Sequence, residues 1–207
     1  MPLLYKEETP LRGVWKMEET SDDLLAMFEK KEEHLQAFAH LTTETRKREY
    51  LTSRLLLKEL IGRETTIAYR ESGAPFLPTL PLHISISHTK GYAAVILDQQ
   101  PTGIDIEYIS DRVKKIRTRF MNPEEEKGID TTHETEHLLL HWCAKETLFK
   151  LIDQSEVDFL AHLHVDPFPF AHKGVFTVHE TRTEARQGYT LAFEVTPTYV
   201  LTWAINR

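Results

Sequence analysis

A chain of 207 residues with 41% hydrophobic content is long enough for one large domain or two small ones around a core. Its net charge of -7 argues against a general nucleic-acid binder, and it has no run of about 18 apolar residues to span a membrane. The one cysteine, Cys143, excludes an intrachain disulfide; with no basic-then-apolar leader at the N-terminus, a reducing cytoplasm is the expected compartment.

In chain order, the pattern predicts a strand over 11–17, helix over 22–39, and a long helix over 45–61 stopped by Gly62. Strands follow at 66–69, 82–87 and 92–97, with turns at 73–75 and 78–81. Beyond residue 100 come a strand over 103–109, a short helix over 113–120, an acidic turn at 122–126 and a helix over 135–152. Strands at 161–165, 174–180, 189–195 and 199–205 complete the chain. Each half offers a long helix and several antiparallel strands. The expected class is therefore α+β, with two similar α/β halves, 1–100 and 101–207, forming a pseudodimer around a central cleft.

Chemistry concentrates in a few segments. In the 103–109 strand, Ile104, Ile106 and Tyr108 alternate with Asp105 and Glu107, so both carboxylates leave one face, roughly 7 Å apart. Charges that close repel unless a cation or donor cluster sits between them, and Mg²⁺ takes one or two carboxylates together with waters and substrate phosphates. On the 135–152 helix, Glu146 and Lys150 are i,i+4 neighbours; the competing reading is a solvated ion pair. Ser85 and Ser87 share a strand face with His88 at its end, either a turn with a satisfied imidazole or a pair of donors for a phosphate oxygen. Arg46, Lys47, Arg48, Arg54 and Lys58 make the first long helix basic, either as surface charge or as guanidinium clamps for a terminal phosphate. His133, Glu134, His137 and His141 match the pattern of zinc hydrolases, but they read as an exposed, polar helix start capped by Thr131 or Thr132.

Three blocks, Ile84-Ser85-Ile86-Ser87-His88-Thr89, Gly103-Ile104-Asp105-Ile106-Glu107 and Trp142-x-x-Lys145-Glu146-x-x-x-Lys150, together resemble the signature of the 4'-phosphopantetheinyl transferase superfamily. Arg48-Glu49-Tyr50-Leu51 and Arg54-Leu55-Leu56-Leu57-Lys58 resemble its upstream basic helix, and the length is similar to that of its Sfp-like, pseudodimeric branch. The resemblance covers about residues 45 to 152. It implies transfer of phosphopantetheine from coenzyme A to a serine of an acyl or peptidyl carrier protein, with Mg²⁺ as cofactor and adenosine 3',5'-bisphosphate released by a monomer. By resemblance, Asp105, Glu107 and Glu146 hold the metal, and Lys145 and Lys150 stabilise phosphate oxygens. Ser87 and His88, with Arg48 or Arg54, grip coenzyme A, and either Glu146 or Glu125 takes the serine proton. Relatives commonly carry Gly-Lys-Pro where this chain has Gly73-Ala74-Pro75, which leaves Arg46 or Lys47 to supply the missing cation. Two competing readings are a catalytically silent homologue that only binds, and the zinc hydrolase of the histidine motif.

Overall fold

The structure is a computed structural model describing residues 3–206. Its first half builds β1 (Leu3–Glu8), β2 (Leu11–Lys16), α1 (Ser21–Ala26), α2 (Lys31–Ala37) with a trailing 3₁₀ turn, and α3 (Glu44–Ile61). It continues through β3 (Ala68–Tyr69), β4 (Pro75–Phe76), β5 (His83–Thr89) and β6 (Tyr92–Asp98). The second half runs β7 (Ile104–Tyr108), α4 (Arg112–Ile116) with its own 3₁₀ turn, α5 (Pro123–Lys127), α6 (Glu134–Ile152) and α7 (Phe159–His162). It ends with β8 (Leu163–Val165), β9 (Lys173–Glu180), β10 (Gly188–Val195) and β11 (Tyr199–Ala204). The fold is α+β, with an antiparallel sheet β1-β2-β6-β5 followed by another, β7-β11-β10-β9-β8.

Each large sheet is covered by one long helix. Thr43 caps α3 by accepting the Arg46 N–H, and Gly62 ends it in the left-handed conformation at φ 82°. Between those caps, Leu51, Leu55, Leu56, Leu57 and Leu60 pack against Trp15, Val95 and Leu97. In the second half α6 buries Leu138, Leu140, Ala144 and Leu148 against Val178, Leu191 and Val200. A hydroxyl pair, Thr147 and Thr202 at 2.6 Å, pins α6 to β11. Gly103 allows the close approach of α6 at the start of β7, because a Cβ there would run into the Thr147 carbonyl. A third apolar cluster seals the two sheets together, with Val14, Ala94 and Ile96 from one and Ile104, Leu201 and Trp203 from the other.

The seam between β5 and β7 is made by side chains. Ile104, Ile106 and Tyr108 donate their backbone N–H groups to the hydroxyls of Ser85 (3.2 Å), Ser87 (3.3 Å) and Thr89 (3.1 Å). The period-two spacing of those hydroxyls matches the period-two N–H groups of β7, so three edge donors are satisfied without a backbone ladder.

Four local expectations change. The helix over 22–39 is broken because the Glu64 carboxylate accepts the N–H groups of Glu29 (2.6 Å) and Lys30 (3.3 Å), withdrawing them from helical bonding. The acidic turn at 122–126 is a helix, because Asn122 and Glu125 form a capping box with Pro123 at its first position. Asp158 likewise caps a turn of helix over the first half of the 161–165 strand. At 73–75, Pro75 leaves the turn to open β4, paired with β3.

Candidate functional site

The seam sets the chemistry. The Ser87 hydroxyl donates to Asp105 Oδ1 at 2.8 Å and the Thr89 hydroxyl to Glu107 Oε2 at 3.2 Å, while Trp142 Nε1 donates to Glu107 Oε1 at 3.1 Å. Lys150 comes down from α6 to donate to Asp105 Oδ1 (2.7 Å) and to the Ile104 carbonyl (3.0 Å). An ammonium has three donors, so one N–H of Lys150 remains for a ligand. Asp105 is 4% exposed, yet its Oδ2 is buried without a hydrogen-bond partner.

The Asp105 charge acts on both neighbouring carboxyls. Burial and the Asp105 charge push Glu146 up to about 7, with Glu107 adding to the rise and Lys150 opposing it. Glu107 is raised by the same two causes, burial first and Asp105 second, while Trp142, Thr89 and Lys150 hold it down. Two carboxyls whose ionised forms are opposed by burial and by the Asp105 charge, beside an orphaned carboxylate oxygen, present the electrostatics a hard cation relieves, so this donor set fits Mg²⁺. Among the described residues, however, no three His, Cys, Asp or Glu side chains are already gathered as a coordination shell.

Beside this cluster a cavity of about 1410 Å³ opens between α3, the 69–77 segment, β5 and the end of α6. Arg46, Glu49, Tyr50, Ser53 and Arg54 line it at the i, i+3, i+4, i+7, i+8 spacing of one helix face, joined by Arg70, His88 and Lys150. Lys150 belongs both to the cavity and to the carboxylate cluster. Arg54 stacks 3.5 Å over the Tyr50 ring and donates to the Tyr50 carbonyl at 3.0 Å. Burial, opposed by Glu49 and reinforced by Arg46 and Lys150, depresses the His88 imidazole.

Four expected site residues are placed elsewhere or otherwise engaged. Arg48 is not in the cavity lining; its guanidinium donates to the Met17 carbonyl. The one Ser87 proton is committed to Asp105, so this hydroxyl cannot also donate to a phosphate. Lys145 and Glu125 are paired in the core at 2.9 Å, with side chains 0% and 2% exposed. There Lys145 also donates to the Phe120 and Phe159 carbonyls, and Glu125 accepts the N–H groups of Asn122 and Val165. Burial depresses Lys145 and Glu125 opposes that shift. With both groups saturated away from solvent, Lys145 cannot reach a phosphate in the cleft, and Glu125 cannot take a proton there. Glu49 and Arg70 line the cavity without having been expected there, and Trp142, named only within the α6 signature block, fixes Glu107 through its indole N–H.

The histidine motif also corrects an expectation. Asp130, not Thr131 or Thr132, caps the turn before α6, accepting the Thr132 and His133 N–H groups. His137 and His141 are 1% and 2% exposed, packed on Phe168 rather than lying in an open first turn. His137 Nδ1 accepts the Asp130 N–H at 3.0 Å, which places the ring proton on Nε2. That nitrogen presents a donor where a zinc ligand needs a lone pair. Burial, then His137 and Lys145, depress His141 to about 3, so the native ring is neutral while an unfolded one charges below about pH 6.5. Acid therefore removes stability as pH falls from about 6.5 toward 3, by up to about 1.4 kcal/mol per pH unit from this group. Denaturant titrations at pH 7 and pH 5 should show a smaller acid loss in His141→Leu; an identical loss would contradict this assignment.

Two family models match this chain. Residues 101–204 match the family model described as the 4'-phosphopantetheinyl transferase superfamily, and residues 32–98 match the 4'-phosphopantetheinyl transferase N-terminal domain. A 4'-phosphopantetheinyl transferase from Bacillus subtilis is 33% identical over 85 residues, a match covering 39% of this chain and 38% of that protein. The carboxylate strand, the α6 helix and the sheet behind them all fall within the longer of the two family matches, and on that match the chain belongs to the 4'-phosphopantetheinyl transferase superfamily.

Proposed function

We propose that this protein transfers the 4'-phosphopantetheine arm of coenzyme A to a serine hydroxyl of an acyl or peptidyl carrier protein, releasing adenosine 3',5'-bisphosphate. The observation that carries the reading is Lys150, which joins the arginine-lined cavity to the Asp105–Glu107–Glu146 cluster. Such a layout suits a polyanionic ligand whose reacting phosphate lies at the junction. The reading takes the halves 1–100 and 101–207 as a pseudodimer with the cavity at their boundary, acting as a cytoplasmic monomer. No helix among the described residues is long and apolar enough to cross a membrane.

The chain's own residues divide the work. Arg46, Arg54 and Arg70 bind the phosphates away from the reacting bond, with Arg46 and Arg70 supplying the positive charge for which Ala74 has no side chain. The free N–H of Lys150 orients the transferred phosphate, and its other two go to the Asp105 carboxylate and the Ile104 carbonyl. Asp105 and Glu107 would hold Mg²⁺, which when bound offsets charge on the pyrophosphate. Glu146 is the proton acceptor at the serine hydroxyl, because Glu125 is saturated in the core and Glu146 already sits near neutrality.

Lys150→Ala is expected to lower kcat about 10²- to 10³-fold while changing KM for coenzyme A far less, since its free donor acts where charge develops. Steady-state kinetics check this; a rise in KM with kcat unchanged would make Lys150 an ordinary binding contact. The reaction class is tested by chromatography of the nucleotide products. Adenosine 3',5'-bisphosphate should appear only when coenzyme A, Mg²⁺ and an apo-carrier are all present. Nucleotide release without carrier, or none with a panel of apo-carriers, would contradict transfer.

A further inference from the structure

Glu49 is the carboxylate on the α3 face of a cavity whose other two carboxylates, Asp153 and Glu156, follow the end of α6. It lies on α3 among Arg46, Arg54, Arg70 and Lys150, with its side chain only 14% exposed. There it repels any phosphate ligand, so its place needs a reason. Its oxygens are divided between two partners: Oε2 accepts from Arg46 Nη1 at 3.1 Å, and Oε1 lies 3.4 Å from His88 Nδ1.

A carboxylate charge 3.4 Å from one ring nitrogen favours the tautomer protonated there, because only a protonated nitrogen is attracted to it. Neutral His88 therefore carries its proton on Nδ1 and presents a lone pair at Nε2. Ionised phosphate oxygens accept hydrogen bonds and cannot donate, so the neutral ring opposes a phosphate at Nε2 and only the imidazolium can bind one. The charged groups facing His88 are Glu49 and Arg46 from α3 and Lys150 from α6; burial and the two cations favour the neutral ring, and Glu49 favours the charged one.

We infer that Glu49 is a positioning residue that makes phosphate binding in this cavity proton-linked: its charge, 3.4 Å from Nδ1 of His88, keeps the neutral ring's proton on that side, and the ring must take up a second proton at Nε2 before it can contact the ligand. The inference rests on the reading that coenzyme A occupies the cavity. Affinity for coenzyme A then falls by up to about tenfold per pH unit above the point where free His88 becomes neutral.

Calorimetric titration of coenzyme A at pH 8, in two buffers of different ionisation enthalpy, counts the protons. At that pH a terminal phosphate, whose second pKa is about 6, is already dianionic and contributes little. The wild-type protein should take up close to one proton per coenzyme A. In Glu49→Ala the neutral ring is free to adopt the Nε2–H tautomer and donate without charging, so uptake should vanish and affinity should lose its pH dependence. His88→Gln, which leaves Glu49 in place, should also show no uptake. Equal uptake in Glu49→Ala and wild type, or none in wild type, would overturn the inference while the proposed function stands. Failure of coenzyme A to bind the wild-type protein would overturn both.

Discussion

Replacing Glu125 by alanine is expected to destabilise the protein by about 3–5 kcal/mol, because it leaves the Lys145 ammonium uncompensated in the core. Two carbonyls, Phe120 and Phe159, would remain around that charge, and the Asn122 and Val165 N–H groups would lose their acceptor. For a chain of this size, such a loss lowers the melting temperature by roughly 6–20 °C. Thermal denaturation reads the effect, and Glu125→Gln separates it from catalysis. If Glu125 took the serine proton, the glutamine variant would keep its stability and lose turnover. A buried structural pair gives the reverse: both variants melt early, and activity per folded molecule is retained.

Asp105→Asn is expected to cut transfer about 10³-fold or more, the scale of losing several kcal/mol of transition-state charge stabilisation. Asparagine keeps the size of the side chain and can still accept from Ser87 and Lys150, so the β5–β7 seam should survive and the variant should fold. It removes the charge that, after burial, does most to raise Glu146. The Glu146 carboxyl should therefore titrate measurably below its wild-type value of about 7 in the metal-free protein, as read by carbon NMR of labelled glutamate. Undiminished turnover in saturating Mg²⁺, or an unchanged Glu146 titration, would contradict a coupled carboxylate cluster.

The central strand was legible because its signal is geometric. Asp105 and Glu107 alternate with buried Ile104 and Ile106, and the period-two pattern places both carboxylates on the side where Ser87 and Thr89 meet them. The two long helices were legible for the same reason, each carrying enough leucine to define a face. Lys145 was misassigned although a signal existed: at 100° per residue it lies about 140° around α6 from Lys150, too far for both to face one phosphate. Arg48 fails by a similar geometry, lying about 160° around α3 from Tyr50 in the middle of the cavity face, whereas Arg46 and Arg54 each lie about 40° from it. The Lys145–Glu125 pair itself was not legible, because it depends on how α5 docks against α6. Asn122 to Glu125 did offer a capping-box pattern, which would have turned the acidic turn into a helix.

Intact-mass analysis of an apo-carrier incubated with this protein, coenzyme A and Mg²⁺ tests the account most directly. The carrier should gain the mass of one phosphopantetheine arm, and a carrier with its acceptor serine changed to alanine should gain nothing. A carrier of unchanged mass beside intact, bound coenzyme A would mean that the cavity and its carboxylates bind without transferring, and would contradict the account.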